Sequence, residues 1–183
     1  MLSLLTIHSN NYQVLWGDKQ IGEVGTVTAD TNELQHHPSL PFIGYHLPAG
    51  DFLIAGKHRL IGVERKEFSD LLNTFTEKVT VAPHQKVNRL GHQLGRVIDA
   101  YGNATLIIEW HGVSMLGPYY LTKGRMRKIR DTALWGYLDV LQEMGVHIRI
   151  TTSLERTVAM LETMLKSANT KRLVAPVMTR KGV

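Results

Sequence analysis

The sequence contains no cysteine, which excludes disulfide bonds and thiolate metal sites. It has no apolar run near the roughly 18 residues that a membrane-spanning helix requires. The short apolar start, residues 1–5, lacks the cationic lead and the cleavage site of a signal peptide. No internal repeat, low-complexity block or flexible linker interrupts the chain. These absences favour one globular domain. The lack of cysteine fits the cytoplasm or another reducing intracellular compartment, which we expect, although many exported proteins also lack cysteine.

Acidic residues are outnumbered, with 16 Asp and Glu against 21 Lys and Arg, a formal net charge of +5 and a pI near 9.5. A basic excess suits a polyanionic partner, because cationic side chains that displace condensed counterions from nucleic acid gain affinity. Many basic proteins never bind nucleic acid, so the charge alone leaves the partner class open. The hydrophobic content of 43% is ordinary for a folded protein.

Hydrophobic patterning predicts short strands first and then strands that alternate with helices. The predicted strands cover residues 24–29, 42–47, 52–55, 60–63, 105–110 and 146–150. The predicted helices are one capped by Ser69, one from about Val87 to Tyr101 that ends at Gly102, one from about Arg125 to Met144 that ends at Gly145, and one opened by Thr152 and Glu155. This order favours an α/β domain with a mixed central β-sheet flanked by helices.

Three segments follow from this pattern. Residues 1–22 form an N-terminal lead that could be a β-hairpin with its turn at Gly17-Asp18. Residues 23–168 form the single α/β domain, and residues 169–183 form a short basic tail that we expect to be mobile.

Two carboxylates and one ammonium group are expected to meet near the middle of the chain. Asp51 begins a predicted strand, and Glu64 and Lys66 end the next, so a hairpin would place Asp51 beside Glu64. Glu64 and Lys66 are two residues apart and therefore share one face of their strand. A Glu-x-Lys pair alone is usually a solvated ion pair, and the helix dipole alone explains an acid such as Asp70. The joint pattern is what indicates a functional site.

This arrangement suits hydrolysis of a phosphodiester. Hard divalent cations such as Mg²⁺ prefer carboxylate oxygens and keep several waters. A cation held by Asp51 and Glu64, with the backbone carbonyl of Arg65 as a third ligand, could polarise a phosphodiester oxygen and lower the pKa of a bound water. Lys66 could orient that water or stabilise charge on the phosphate.

The pattern Gly50-Asp51-x12-Glu64-Arg65-Lys66-x3-Asp70 resembles the signature of the XPF/Hef-type structure-specific DNA endonucleases, which have a restriction-endonuclease-like fold. The resemblance extends to Asp30-Thr31-Asn32-Glu33, where the family has Asp-x-Arg-Glu, and to the strand that ends at Glu109. It covers most of the chain, from about residue 24 to residue 167. Asn32 replaces the usual arginine, and residues 169–183 are too few for the tandem helix-hairpin-helix modules that often grip duplex DNA in the family.

The resemblance implies a role for each matching residue. Asp51 and Glu64 would bind Mg²⁺ or Mn²⁺, and Lys66 would be the catalytic lysine. Asp30 would be an additional acid at the metal, and Arg65 would organise the site or contact the phosphate. Supporting roles would fall to Asp70, Glu33 and Glu109. Glu109 could equally be a buried or strand-end acid with a structural partner.

Cationic side chains also cluster on two predicted helices, where they could bind DNA. One cluster stands at the start of a helix, where cations oppose the helix dipole and so suggest a use for phosphate: Lys123, Arg125, Arg127, Lys128 and Arg130. The preceding helix region adds Lys86, Arg89 and Arg96. Solvated surface chains are the alternative for both clusters. The nine histidines include no His-x3-His pair, so no zinc site is expected. The tryptophans Trp16, Trp110 and Trp135 could stack on bases, but packing is the commoner role.

We therefore predict a divalent-metal-dependent DNA endonuclease that cuts flap, fork, junction or single-stranded DNA, in repair or recombination. One alternative is a non-catalytic DNA-binding or scaffolding module on the same fold, although such proteins tend to lose the acids and the lysine that this chain keeps. Another is an α/β protein unrelated to nucleic acid, which would make the whole constellation a coincidence. The resemblance also implies a homodimer formed through helices of the nuclease domain.

Overall fold

The computed structural model describes residues 5–8, 13–83, 85–113, 115–121 and 128–170. Its strands are β1 (Leu5–His8), β2 (Gln13–Trp16), β3 (Lys19–Glu23), β4 (Thr26–Asp30), β5 (Ile43–Tyr45), β6 (Phe52–Ala55), β7 (Leu60–Glu67), β8 (Lys78–Ala82), β9 (Gln85–Asn88), β10 (Ala104–Glu109), β11 (Met115–Leu116), β12 (Tyr119–Leu121), β13 (Lys128–Arg130) and β14 (Val146–Thr151). Its helices are α1 (Thr31–His36), α2 (Phe68–Thr76), α3 (Arg89–Tyr101), α4 (Asp131–Glu143) and α5 (Leu154–Asn169).

A six-stranded mixed sheet in the order β14-β10-β7-β6-β4-β5 forms the centre of the fold. β6 pairs antiparallel with both β4 and β7, whereas β7, β10 and β14 run parallel. The parallel strands are linked by helices, as crossover connections require. The predicted class, an α/β domain with a mixed central sheet and flanking helices, is confirmed.

Side chains that alternate along the strands divide the core into two layers. Leu53 of β6 and Leu106 of β10 belong to the layer packed against α2, α3 and α4. Phe52 of β6 and Ile107 of β10 belong to the layer packed against α5. Along β7, even-numbered residues therefore face α3 and odd-numbered residues face α5. Each fully buried large apolar side chain contributes about 1.5–3 kcal/mol to this packing.

The N-terminal lead shares this core. β1, β2 and β3 form an antiparallel sheet, with Gly17 in the turn between β2 and β3 at a φ of 64°. Val14 and Ile21 are buried in the core layer that packs against α2, α3 and α4. Within the described residues, no helix is both long and apolar enough to cross a membrane.

Several predicted helix starts are wrong. The helix predicted from about Arg125 begins only at Asp131, because residues 128–130 pair with β12 as strand β13. Ser69 does not cap α2, since the chain turns directly from β7 into the helix at Glu67. Ser153, not Thr152, caps α5, and its hydroxyl accepts a hydrogen bond from the Arg156 N–H at 3.3 Å.

Helix ends and strand positions follow the sequence more closely. Gly102 ends α3 in the left-handed region with a φ of 78°, as predicted. Val87, expected in α3, lies instead in β9. The β8–β9 hairpin and the short helix α1 were not predicted, because both are short and mostly polar.

Gly62 allows β7 to approach α3, and we predict that a side chain there is costly. A Cβ at this position would collide with the Tyr101 ring and with Val97. Gly62→Ala should lower the free energy of unfolding by about 1–3 kcal/mol in urea denaturation. The matched control is Gly95→Ala, because a Cβ there meets nothing within 4 Å and Ala favours the helix. Equal stability of the two variants would contradict this packing.

Candidate active site

The pairing of β6 with β7 brings Asp51 beside Glu64. Phe52, the first residue of β6, is aligned with Val63 of β7, so Asp51 just before β6 lies opposite Glu64. The Asp51 N–H donates to the Val63 carbonyl at 2.8 Å, and the Arg65 N–H donates to Asp51 Oδ2 at 2.7 Å. These two backbone donors fix the position of the Asp51 carboxylate, and the hairpin arrangement expected from the sequence is present.

Lys66 joins this pair on the same face of β7. Its Nζ donates to Glu64 Oε1 at 2.6 Å. Glu64 is only 4% exposed, and Lys66 is partly buried. The ammonium group is therefore held directly beside one of the two neighbouring carboxylates.

Asp30 lies at the end of β4, next to the pair. Its N–H donates to the Asp51 carbonyl at 2.8 Å. Its Oδ1 accepts from the Asn32 N–H and its Oδ2 accepts from the Leu47 N–H, each at 2.9 Å. Asp30 therefore caps α1 and ties down the chain before β6, in addition to placing a negative charge at the site.

These groups line one cleft of about 300 Å³ on the α3 side of the sheet. Gly50 lines this cleft and has a φ of 77°, and a Cβ there would lie 2.8 Å from the Val63 carbonyl oxygen. Only glycine fits this turn without strain. The lining residues are Asp30, Asn32, Leu47, Pro48, Ala49, Gly50, Asp51, Glu64, Lys66, Gln93 and Arg96.

The neighbouring carboxylates of Asp51 and Glu64 repel each other in the cleft. Burial and the adjacent charge of Glu64 raise the pKa of Asp51 to about 7, although Lys66 and the Arg65 N–H act in the opposite direction. Burial alone would lower the pKa of Lys66, but the charges of Glu64 and Asp51 raise it above its ordinary value. One ammonium group thus does not balance the two carboxylates, and a further cation would be favourable here.

The donor set fits a hard divalent cation. Asp51 and Glu64 offer carboxylate oxygens from adjacent strands, which suit Mg²⁺ or Mn²⁺. The described part of the chain contains no group of three or more His, Cys, Asp or Glu side chains placed to share an ion. An ion would therefore complete its shell with backbone carbonyls and water, as Mg²⁺ commonly does.

Arg65 does not line the cleft, because the odd-numbered residues of β7 face α5. Its Nε donates to Glu109 Oε1 at 3.1 Å and lies 3.5 Å from Glu33 Oε1. Its Nη2 lies 2.9 Å from His37 Nε2. Arg65 can organise the cleft through its backbone N–H, but the expected phosphate contact does not fit this placement.

Glu33 and Glu109 belong to the Arg65 cluster rather than to the cleft. Glu109 is 1% exposed, and its Oε1 also accepts a hydrogen bond from the Thr157 hydroxyl at 2.7 Å. Burial and the charge of Asp51 raise the pKa of Glu33, against the opposing charge of Arg65. The structure thus gives Glu109 the structural partners that the sequence left open.

Asp70 stands in the first turn of α2 and is exposed. Its charge adds to the raised pKa of Lys66. Asp70 therefore acts on the site through its charge.

The predicted DNA-binding residues are dispersed. Arg96 is at the cleft, where its Nη2 donates to the Pro48 carbonyl at 2.7 Å. Arg89 is paired with Glu77 at 2.6 Å, and Lys86 is exposed on β9. Arg130 is exposed at the start of α4, and Lys128 is in β13. Lys123, Arg125 and Arg127 lie outside the described residues.

The three tryptophans take part in packing. Trp110 stacks on Trp135 with ring centroids 5.6 Å apart and contacts Phe68. Trp16 packs against the core layer that contacts α2, α3 and α4. Gln93, a polar residue that also lines the cleft, was not predicted from the sequence.

With this geometry established, the chain can be placed among known proteins. The model of the ERCC4 domain matches residues 5–164. The chain belongs to the ERCC4 domain family. The resemblance drawn from the Gly-Asp, Glu-Arg-Lys and Asp pattern is confirmed. A search of the curated proteins finds no match.

Two solved structures share the fold. XPF from Aeropyrum pernix is 22% identical with a TM-score of 0.55, over 78% of this chain and 64% of that one. XPF from Aeropyrum pernix in complex with DNA is 22% identical with a TM-score of 0.58, over 82% of this chain and 68% of that one. This chain thus spans about two thirds of the length of those structures. The likeness confirms the predicted restriction-endonuclease-like fold.

We predict that ionisation of Asp51 destabilises the metal-free protein. Its folded pKa, about 7, lies above its ordinary value of 3.8, so the contribution to stability is complete below pH 4 and is lost as the pH rises through 7. Asp51→Asn can still accept from the Arg65 N–H and removes this loss. In EDTA, its melting temperature relative to wild type should therefore be higher at pH 8 than at pH 5. The same difference at both pH values would contradict the raised pKa.

We also predict a structural cost at Glu109. Glu109→Gln removes the charge that faces the buried Arg65, which should lower the free energy of unfolding by about 3 kcal/mol. This is the low end for a broken buried pair, since Glu33 and Glu67 still lie 3.5 and 3.7 Å from Arg65. The matched control is Glu77→Gln at the exposed Arg89 pair, with a cost of about 1 kcal/mol or less in the same urea titration. Equal costs would show that the Arg65 cluster contributes little.

Proposed function

We propose that this chain is a divalent-metal-dependent endonuclease that hydrolyses DNA phosphodiester bonds. The observation that carries the proposal is the convergence of Asp51, Glu64 and Lys66 in one cleft on one face of the sheet. Membership of the ERCC4 domain family and the fold shared with an XPF protein that binds DNA support it.

In this proposal Asp51 and Glu64 hold the ion, and Asp30 adds negative charge at the edge of the cleft. Mg²⁺ or Mn²⁺, when bound, would polarise the phosphate and lower the pKa of a water molecule. The Lys66 ammonium, held by Glu64 at 2.6 Å, stabilises the negative charge that grows on the phosphate oxygens. Water attacks phosphorus, the bond from phosphorus to the leaving oxygen breaks, and that oxygen takes up a proton.

The substrate and the setting are part of the same proposal. Arg96 supplies a cation at the cleft, and the chain as a whole has a net charge of +5. Both charges favour a polyanionic substrate. We infer that the DNA is branched, flapped, forked or single-stranded, and that the enzyme acts inside the cell in repair or recombination. The alternative, a non-catalytic DNA-binding module, is disfavoured because Asp51, Glu64 and Lys66 are all present in the cleft.

A homodimer through the helices is a further part of the proposal. Large apolar side chains are exposed on α4, directly after it and on the neighbouring edge strand β14, with Val140 47%, Met144 67% and Ile150 47% exposed. Sedimentation should give a mass near twice 20.6 kDa at micromolar concentrations. A mass of one chain at high concentration would contradict a stable dimer.

The cleavage test compares labelled single-strand, duplex, flap, fork and four-way junction DNA in Mg²⁺, Mn²⁺ or EDTA. We expect metal-dependent cutting, reduced at least ~100-fold in Asp51→Asn and in Lys66→Ala. Matched controls are Asp139→Asn on α4 and Lys166→Ala on α5, both exposed and outside the cleft. Intact DNA binding without any cleavage would favour the non-catalytic alternative.

A further inference from the structure

Gln93 places a buried acceptor without a donor in the cleft. It lies in the first half of α3 and lines the same cleft as Asp51, Glu64 and Lys66. Its Oε1 is buried and accepts no hydrogen bond from the protein. Buried polar atoms are almost always paired, so an exception calls for a partner that the protein itself does not supply. Among the described residues, no other buried, unpaired side-chain atom belongs to this cleft.

The helix that carries Gln93 is firmly held. Leu94 and Val97, which follow it on α3, are almost completely buried. The Tyr101 hydroxyl, at the end of the same helix, donates to the Ala49 carbonyl at 3.1 Å. The position of Gln93 is therefore set by packing rather than by its own polar contacts.

The donors near the cleft make their hydrogen bonds to other groups, and none of these bonds reaches Gln93 Oε1. Lys66 donates to Glu64, and Arg96 donates to the Pro48 carbonyl. The Arg65 N–H donates to Asp51. The oxygens of a DNA phosphate are acceptors and cannot serve Gln93 Oε1. The remaining N–H donors of Lys66 and Arg96 are cationic and suit the phosphate, whereas a water molecule in the cleft can donate to Gln93 Oε1.

We propose that Gln93 is a further active-site residue, and that its Oε1 accepts a hydrogen bond from the water that attacks the phosphodiester. This inference rests on the proposed nuclease function. One O–H of the water points at Gln93, which turns an oxygen lone pair toward phosphorus. Gln93 takes up no proton and is unchanged by the reaction. Being neutral, it orients the water without adding a charge to a cleft that already contains Asp30, Asp51 and Glu64.

The test uses Gln93→Met, which keeps the length of the side chain but removes the strong acceptor, and Gln93→Glu, which keeps an acceptor. We expect the single-turnover cleavage rate of Gln93→Met to fall ~10- to 100-fold, with a smaller fall for Gln93→Glu. The matched control is Gln142→Met, an exposed position on α4 outside the cleft, which should cleave like wild type.

Two further readouts separate this role from others. The metal-free melting temperature of Gln93→Met should be unchanged or higher, because the substitution removes a buried unpaired acceptor. Binding of Mn²⁺ alone, followed by calorimetry, should change by less than about twofold, because Gln93 contacts water rather than the ion. A lower melting temperature would make Gln93 a structural residue, and a loss of Mn²⁺ affinity would make it a ligand. Either result overturns the inference.

The outcome also distinguishes this inference from the proposed function. If wild type cleaves, Lys66→Ala does not, and Gln93→Met cleaves at the wild-type rate, the nuclease stands and the role of Gln93 fails. If wild type cleaves no DNA in any metal, both fail together, because there is then no attacking water to orient.

Discussion

The site depends on the register of one antiparallel strand pair. The Asp51 N–H bonds the Val63 carbonyl, and the Arg65 N–H bonds the Asp51 carboxylate. Since side chains alternate along a strand, a slip of one residue would move Glu64 and Lys66 to the α5 face and bring Arg65 into the cleft. The apolar residues on both faces of β6 and β7 resist such a slip, because it would exchange the two core layers. Packing far from the cleft thus fixes the chemistry inside it.

The same register sets two electrostatic environments back to back. On the α3 face, Asp51 and Glu64 lie beside the Lys66 ammonium, and burial and the charge of Glu64 raise the pKa of Asp51 to about 7. On the α5 face, the Arg65 guanidinium is surrounded by acids and by His37, and each contact is made by a buried or half-buried side chain. The first arrangement is unfavourable until a cation joins it, whereas the second already contains its cation, the Arg65 guanidinium. Such a difference is expected between a binding site and its support.

The sequence predicts the parts of this structure that depend on local patterns. The strands β6, β7, β10 and β14 follow from their apolar residues, and the end of α3 at Gly102 follows from a glycine. The start of α4 and the cap of α5 were misplaced, because sheet pairing and the end of β14 decide them. The Asp51, Glu64 and Lys66 group was predictable since adjacent strands and a spacing of two residues create it. Gln93 was not, because only the packing of α3 on β7 turns it toward the cleft.

The motif Gly50-Asp51-x12-Glu64-Arg65-Lys66 is specific because its residues serve both faces of the sheet. Glu64 and Lys66 alone form an ordinary ion pair. Gly50 is required by a left-handed turn that presses against the Val63 carbonyl, and Arg65 is required by the buried acids that it neutralises. Gly50 and Arg65, two residues of the motif, are therefore constrained by folding rather than by chemistry. A pattern that must satisfy the cleft and the opposite face of the sheet together is far harder to meet by chance than the acids and lysine alone. The full motif therefore identified the family although the ion pair could not.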